Sequence, residues 1–299
     1  MLLRQDINDN FLNLFTKVME NEPLENDNKL NVFVLKISNK RFNTDALLSP
    51  LGNALVSYAL SRHTYDELYN NKEVYTLFSL AKERLRKSQS NQGELGELLL
   101  YCLLEAHLHA PKLLTKLELK TAANDYVKGA DGVHLLKIDD SSYQIIFGES
   151  KLYADLNKGI KAAFESISTM LENNLEKIQY EINLVNANLL KESVSDVEAV
   201  FLKKILIPTE NDENLNVDYS FGIFLGFDLK ITDDDYSQES IQFREHINNK
   251  VKTMVSNQIT TINNYLHLSE LKNYVFYFYV MPFPELNDIR TEIINKLKS

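Results

Sequence analysis

Residues 125–155 read DYVKGADGVHLLKIDDSSYQIIFGESKLYAD. Two apolar runs flank the polar sequence DDSS, which is typical of a β-hairpin with a turn of Asp and Ser. Asp131 opens the first predicted strand, and the tripeptide 149–151 closes the second. Because side chains two residues apart on a strand share a face, we expect the Glu149 carboxylate and the Lys151 ammonium to lie side by side.

The position of Asp131 depends on the length of the hairpin loop. A three-residue loop at 139–141 pairs Asp131 with Glu149, and one at 140–142 pairs it with Lys151. Both put the three charged side chains on one face. A two-residue loop pairs Asp131 with Ser150 and turns its side chain away, because a slip of one residue exchanges the two faces. A convergent site therefore requires an odd loop or a bulge.

Two convergent carboxylates with a lysine suit metal-dependent cleavage of a phosphodiester. Hard divalent cations such as Mg²⁺ select carboxylate and carbonyl oxygens and keep several waters. The cation polarises the phosphate, and a nearby lysine holds the attacking water and offsets the charge that develops in the transition state. The competing interpretation of Glu-Ser-Lys alone is a surface ion pair on a strand.

Composition places the chain among ordinary globular proteins. Its 299 residues are 44% hydrophobic and 25% charged, and Cys102, within an apolar segment, is the single cysteine. No run of about 18 apolar residues and no basic, apolar leader is present, so we expect a cytoplasmic protein without membrane spans or disulfides.

The charge distribution argues against a protein that binds nucleic acid alone. The formal net charge is −10, whereas phosphate contacts are made by Lys and Arg. Residues 81–160 carry 11 basic and 11 acidic side chains, but residues 191–299 carry 11 and 17. The candidate site lies in the less acidic part, and a basic partner could supply the remaining contacts.

A leucine-rich segment upstream, GELGELLLYCLLEAHLHAP, predicts an apolar helix that ends at Pro111. Glu94, Glu97 and Glu105 fall on one stripe of this helix. We expect Glu94 and Glu105 to reach solvent at the helix ends. Glu97 is the best candidate for a further metal-facing acid, because it follows Gly96, which permits close backbone approach.

The remaining pattern predicts an α/β protein with a mixed central sheet flanked by helices. Alternation predicts strands, and apolar spacing of three and four residues predicts a long helix or helical pair to about residue 190. A strand, helix, strand order in the last third predicts a parallel addition to the sheet. The predicted strands are 29–38, 112–121, 200–207, 219–231 and 273–281. We divide the chain into an N-terminal α/β region at 1–88, a core at 89–190 and a C-terminal α/β region at 191–299, or one compact unit.

The order helix with Glu97, strand, strand opening with Asp131, strand ending in Glu-Ser-Lys, then helix resembles the PD-(D/E)xK nuclease core of restriction-endonuclease-like enzymes. Ala130 stands where that core has its proline. The resemblance implies that Asp131, Glu149 and the carbonyl of Ser150 bind Mg²⁺, with Mn²⁺ as an alternative.

By the same resemblance, Lys151 would activate the attacking water, and Glu97 would complete the site or hold a metal water. Lys120 and Lys128 are candidates for phosphate contacts, although solvated lysines are the simpler interpretation.

The segments GELGELLLY, KTAANDYVKGADGVHL and FGESKLYAD together resemble the HamA family, the nuclease subunits of the Hachiman antiphage defence system, and the similar subunit of the Abp antiphage pair. This resemblance implies a DNA nuclease that works with a superfamily 2 helicase, which senses DNA and restrains the nuclease until ATP-driven remodelling.

The competing hypothesis is a binding module, in which a catalytically silent nuclease fold serves as an adaptor or regulatory subunit of the helicase. A stand-alone restriction enzyme would need a sequence-reading element, and the sequence contains no helix-turn-helix or zinc-finger pattern. Loss of the carboxylates separates the two main hypotheses, since only the nuclease needs them.

Overall fold

The computed structural model describes residues 3–87, 93–119, 129–193, 195–208 and 215–299. Its strands are β1 Phe15–Pro23, β2 Lys29–Leu35, β3 Ile37–Ser38, β4 Arg41–Phe42, β5 Gly132–Lys137, β6 Ser142–Tyr153, β7 Asn216–Asp228 and β8 Val275–Phe283. Its helices are α1 Leu48–Ala59, α2 Arg62–Asn70, α3 Val74–Lys87, α4 Glu94–Ala106, α5 Lys116–Leu119, α6 Leu156–Glu192, α7 Asp196–Leu206, α8 Asp233–Ser237, α9 Ser240–Ser256, α10 Ile259–Leu266 and α11 Leu286–Lys298.

Within these residues, six strands form one mixed sheet in the order β1-β2-β8-β7-β6-β5. The three central strands β8, β7 and β6 run parallel, β2 is parallel to β8, and antiparallel partners β1 and β5 lie at the edges. The predicted mixed sheet and the parallel addition of the last third are therefore confirmed. The sheet draws two strands from each of the ranges 1–88, 89–190 and 191–299.

Two helices cover opposite faces of β6 and β7, which explains why both strands are apolar on both sides. A side-chain carbon of Leu104 in α4 lies 2.9 Å from the position of a Cβ on Gly222 of β7. On the other face, Phe164 of α6 lies against Phe276 and Phe278 of β8, with ring centroids 5.9 and 6.0 Å apart. The long helix or helical pair predicted to about residue 190 is confirmed as α6, within which Asn173 and Leu175 have left-handed backbone conformations with φ of +53° and +65°.

Two predicted strands are wrong. Residues 200–207 lie mostly in α7, whose buried Ala199, Leu202 and Ile205 are spaced by three residues and whose N-terminus is capped by Ser195. In the range 112–121, Lys112 makes an isolated bridge and residues 116–119 form α5. The side chain of Lys112 points into the protein, which an alternating apolar pattern does not show.

The described residues contain no helix that is both long enough and apolar enough to cross a membrane. Cys102 is a buried free thiol within α4, as its apolar surroundings in the sequence predict.

Candidate active site

The hairpin β5-β6 has the register that the three-residue loop at 139–141 predicts. Gly132 pairs with Gly148, and each following pair keeps that register up to Lys137 and Tyr143. The turn closes on Asp139, whose Oδ1 accepts hydrogen bonds from the backbone amides of Ser141 and Ser142 at 2.8 and 2.7 Å. Asp131 therefore lies one residue before the first pair, across from Glu149.

The side chain of Asp131 is held by Ser150. Its Oδ2 accepts hydrogen bonds from the backbone amide of Ser150 at 2.7 Å and from the Ser150 hydroxyl at 2.9 Å. The backbone amide of Asp131 donates to the carbonyl of Gly148 at 2.7 Å. These three contacts fix Asp131 against the last residues of β6.

Glu149 and Lys151 form an ion pair on one face of β6, as the strand periodicity predicts. The side chain of Glu149 is 4% exposed and that of Lys151 is 23% exposed. Burial raises the pKa of Glu149 to about 7, Asp131 adds to this effect, and Lys151 and Ser166 of α6 oppose it. Burial has the largest single effect on Lys151 and lowers its pKa, but the charge and hydrogen bond of Glu149 together with the charge of Asp131 leave the pKa raised.

Glu97 approaches from the opposite face of the sheet. It is the one half-buried residue of α4, whose other residues are buried, and its Oε2 accepts a hydrogen bond from the Tyr58 hydroxyl at 2.9 Å. Burial, followed by the charge of Glu97, raises the pKa of Tyr58 well above its usual value. Glu97, Tyr58 and Asp131 line one narrow pocket of about 20 Å³, which has room for a single water.

Close packing of α4 on β6 depends on Gly96, as its position before Glu97 predicts. A Cβ at Gly96 would lie 3.2 Å from the Ser150 hydroxyl and 3.2 Å from Leu152. Ser150 and Leu152 therefore face α4, whereas Glu149, which contacts Ser166 of α6, faces the other way. The carboxylate of Asp131 is bonded to Ser150 and lines the Glu97 pocket on the α4 side. The three charged side chains therefore do not share one face as the three-residue loop predicts, because Asp131 turns toward Ser150, and its charge acts on Glu149 across the end of the strand.

The structure thus brings Asp131, Glu149, Ser150 and Lys151 together, with Glu97 reaching the Asp131 pocket from α4. In the described part of the chain, no three His, Cys, Asp or Glu side chains are arranged to hold one metal ion. Lys120 and Lys128 lie outside the described residues.

The donor set fits Mg²⁺ or Mn²⁺. Mg²⁺ is commonly held by one or two carboxylates and keeps several waters, so it does not require three acidic side chains. Asp131 and Glu149 supply two carboxylates whose mutual repulsion contributes to the raised pKa of Glu149. A divalent cation between them would relieve that repulsion.

The expectation that Glu94 and Glu105 reach solvent is wrong. Glu94 is 6% exposed and lies 3.7 Å from the Lys298 ammonium, and Glu105 is fully buried. Glu105 accepts hydrogen bonds from the backbone amides of Asp6, Ile7 and Lys112. A carboxylate in a leucine-rich helix is the sequence signal for such a buried anchor, because a buried charge needs partners.

Sequence analysis also missed a buried ion pair that holds the backbone before Asp131. Lys116 of α5 contacts Glu181 of α6 at 2.8 Å, and its ammonium donates to the carbonyl of Ala130. The two residues are 65 positions apart. Neither lies in a motif, so local pattern gives no signal for the pair.

A comparison with curated proteins gives no match. A comparison with protein-family models gives a match to HamA that covers residues 9–297, nearly the whole chain. The match includes α4, the hairpin β5-β6 and the central strands that position the candidate site. The chain therefore belongs to the HamA family, a component of Hachiman defence.

Proposed function

We propose that this protein is a metal-dependent DNA nuclease, the effector of an antiphage defence system, which works with a superfamily 2 helicase. The observation that carries the proposal is the convergence of Asp131 with the Glu149–Lys151 pair at one end of the hairpin. Membership of the HamA family supports the defence role and a partner from the same system.

Asp131, Glu149 and the carbonyl of Ser150 would hold Mg²⁺ or Mn²⁺, and Glu97 would complete the site or hold one of its waters. When bound, the cation supplies polarisation of the scissile phosphodiester and stabilisation of its developing charge. Lys151 would orient the attacking water with its ammonium, which the ion pair with Glu149 already holds at the site. The Ser150 contacts keep Asp131 in place as the substrate binds.

The helicase would carry the main DNA-binding surface. The net charge of −10 opposes tight binding of DNA by this chain alone. We infer that the helicase restrains the nuclease and releases it after ATP-driven remodelling on DNA.

The experiment measures cleavage of plasmid DNA with Mg²⁺ by the chain alone and by the chain with its helicase and ATP. The site variant is Glu149→Gln/Lys151→Met. The matched control is Lys137→Met/Asp140→Asn, which removes an exposed ion pair with a 2.6 Å contact at the turn of the same hairpin. Cleavage by wild type and control, and none by the site variant, is the expected result; equal cleavage by all three would contradict the proposal.

One observation favours a second function, a catalytically silent adaptor of the helicase. In the described residues, the acidic side chains do not form a group of three suited to one metal ion. The adaptor predicts no cleavage under any condition, a stable complex with the helicase, and phage protection that survives Glu149→Gln/Lys151→Met. The nuclease predicts that the same variant keeps the complex and loses protection.

A further inference from the structure

A buried ion pair holds the backbone that leads into β5, at the single residue Ala130. The Lys116 ammonium donates to the carbonyl of Ala130 and contacts Oε1 of Glu181 at 2.8 Å. The backbone amide of Ala130 hydrogen-bonds the Glu181 carboxylate. Both polar backbone groups of the residue before Asp131 are therefore held by this pair.

Gly129 shows how closely this backbone approaches Glu181. Its φ is +126°, a conformation that favours glycine, and a Cβ there would lie 1.8 Å from Glu181 Oε1. The chain passes directly over the carboxylate and turns into Ala130 and Asp131. The position of Glu181 therefore limits where Asp131 can lie.

The Lys116–Glu181 pair is largely shielded from solvent. The side chain of Lys116 is 10% exposed, and that of Glu181 is fully buried. Glu181 Oε2 is buried and makes no hydrogen bond within the described residues. Two buried charges cost desolvation that apolar side chains of the same size avoid, so such a pair is a weak source of stability. Its contacts with Ala130 give it another role.

The pair also connects Asp131 to α6, the helix that follows the Glu-Ser-Lys tripeptide. The N-terminal part of α6 contacts Glu149 through Ser166, and Glu181 lies 15 residues later in the same helix. The two parts of α6, before and after the left-handed residues Asn173 and Leu175, therefore contact the two strands of the hairpin at the end where the carboxylates meet.

We propose that Lys116 and Glu181 are positioning residues that fix Asp131 for binding of a divalent cation. The proposal rests on the nuclease function proposed above. Partners that orient metal ligands without contacting the metal commonly change metal affinity or activity by about 10-fold to 100-fold when they are mutated.

The test compares Lys116→Met/Glu181→Leu with wild type in the full-length chain. Removing both charges together avoids leaving one of them buried without a partner. The control away from the site is Lys250→Met/Asp235→Leu, which removes a pair with a 2.7 Å contact between α8 and α9, together with the hydrogen bonds that Asp235 accepts from Thr232 and its contact with His246. Glu181→Gln is the conservative variant, because its side-chain oxygen still accepts from Lys116.

Two readouts are independent of cleavage. Titration with Mn²⁺, followed by electron paramagnetic resonance, measures metal affinity in the absence of DNA. Amide hydrogen exchange measures protection of Asp131, which donates to Gly148, and of Ser150, which donates to Asp131.

We expect the double variant to bind Mn²⁺ at least about 10-fold more weakly and to exchange both amides faster. We expect the control to match wild type in both readouts, and Glu181→Gln to lie closer to wild type than the double variant does. Cleavage by the double variant should recover at high Mn²⁺ concentration.

A folded double variant with the metal affinity and amide exchange of wild type would overturn the proposal. If wild type binds no Mn²⁺ but the double variant still exchanges the Asp131 and Ser150 amides faster, the positioning role stands and the nuclease function fails. If the double variant does not fold, Lys116→Arg, which keeps the charge, and Glu181→Gln decide by the same two readouts.

Discussion

Ser150 donates two hydrogen bonds to a single oxygen of Asp131, one from its backbone amide at 2.7 Å and one from its hydroxyl at 2.9 Å. The hydrogen bond from the backbone amide is kept in any substitution of Ser150 except proline, whereas the hydrogen bond from the hydroxyl requires the serine side chain. Asp131 therefore stays beside β6 when the hydroxyl is removed, but one hydrogen bond instead of two then orients its carboxylate.

The first prediction concerns Ser150→Ala. Loss of one hydrogen bond to a charged acceptor should lower the free energy of unfolding by about 1.5 to 3 kcal/mol and weaken cleavage by about 10-fold. Chemical denaturation and a cleavage assay at several Mg²⁺ concentrations measure the two effects. Weaker cleavage should appear mainly as a higher requirement for Mg²⁺.

The hairpin offers a matched control, Ser141→Ala. Ser141 also donates its amide and its hydroxyl to one aspartate oxygen, Oδ1 of Asp139, at 2.8 and 3.2 Å. This contact lies in the exposed turn. The control should leave cleavage unchanged, and an equal loss of cleavage in both variants would show that the Ser150 effect is not specific to Asp131.

The hairpin could be predicted from the sequence because its determinants are local. The turn residues Asp139 and Ser141 bond to each other within three positions, and the apolar runs on either side define the strands. The same holds for Gly96, whose lack of a side chain lets α4 approach Ser150. Local chemistry of this kind fixes the strand periodicity that places Glu149 beside Lys151.

The supporting contacts could not be predicted because they join distant parts of the chain. Lys116 and Glu181 are 65 residues apart, and Glu105 bonds to the amide of Asp6, 99 residues away. Lys112 shows the same limit in another way. It lies in an alternating apolar run that predicts a strand, but its buried ammonium donates to the carbonyl of Leu60 at 2.7 Å.

The second prediction concerns Gly129→Ala. Both the φ of +126° and the 1.8 Å approach of a Cβ to Glu181 Oε1 oppose this substitution. We expect it to lower the free energy of unfolding by about 1 to 3 kcal/mol. It should also reduce cleavage, because the backbone must move next to Asp131. Thermal unfolding and the plasmid assay measure both effects.

Gly159→Ala provides the comparison for this substitution. Gly159 lies in α6, and the nearest atom to a Cβ there is 3.6 Å away, an ordinary contact. Alanine in a helix is more stable than glycine by about 0.5 to 1 kcal/mol, so this variant should be more stable than wild type and fully active. If both variants are less stable than wild type, the fold is sensitive to an added methyl group in general, and the effect is not specific to Gly129.

The third prediction separates the two possible roles of Glu97. If Glu97 holds a water at the metal site, Glu97→Gln should reduce cleavage by about 10-fold to 100-fold while the fold is kept. Tyr58→Phe removes the 2.9 Å hydrogen bond to Glu97 Oε2 but leaves the carboxylate, so it should reduce cleavage less. Equal activity of Glu97→Gln and wild type would restrict Glu97 to a structural contact with Tyr58.

The fourth prediction concerns pH and His134, a buried residue of β5 next to the candidate site. Its Nδ1 lies 2.7 Å from the carbonyl of Ala110, so the neutral ring donates there. Burial lowers the pKa of His134 to about 4, and the nearby Arg62 and Lys112 charges add to this effect. In the unfolded chain the pKa of histidine is about 6.5.

The difference between the folded and unfolded pKa values sets the direction in which pH changes the stability. The unfolded chain binds the proton more readily, so the stability that His134 contributes is present above pH 6.5 and is lost as the pH falls toward 4. We expect His134 to account for a loss of about 2 kcal/mol in the free energy of unfolding between pH 7.5 and pH 5.

Urea unfolding of wild type and His134→Gln at both pH values measures this loss, since groups common to both proteins cancel in the difference. Glu105, whose pKa burial raises to about 6, acts in the opposite direction in both proteins and cancels in the same way. Parallel stability curves for the two proteins would contradict the prediction and would mean that His134 is protonated without unfolding the chain.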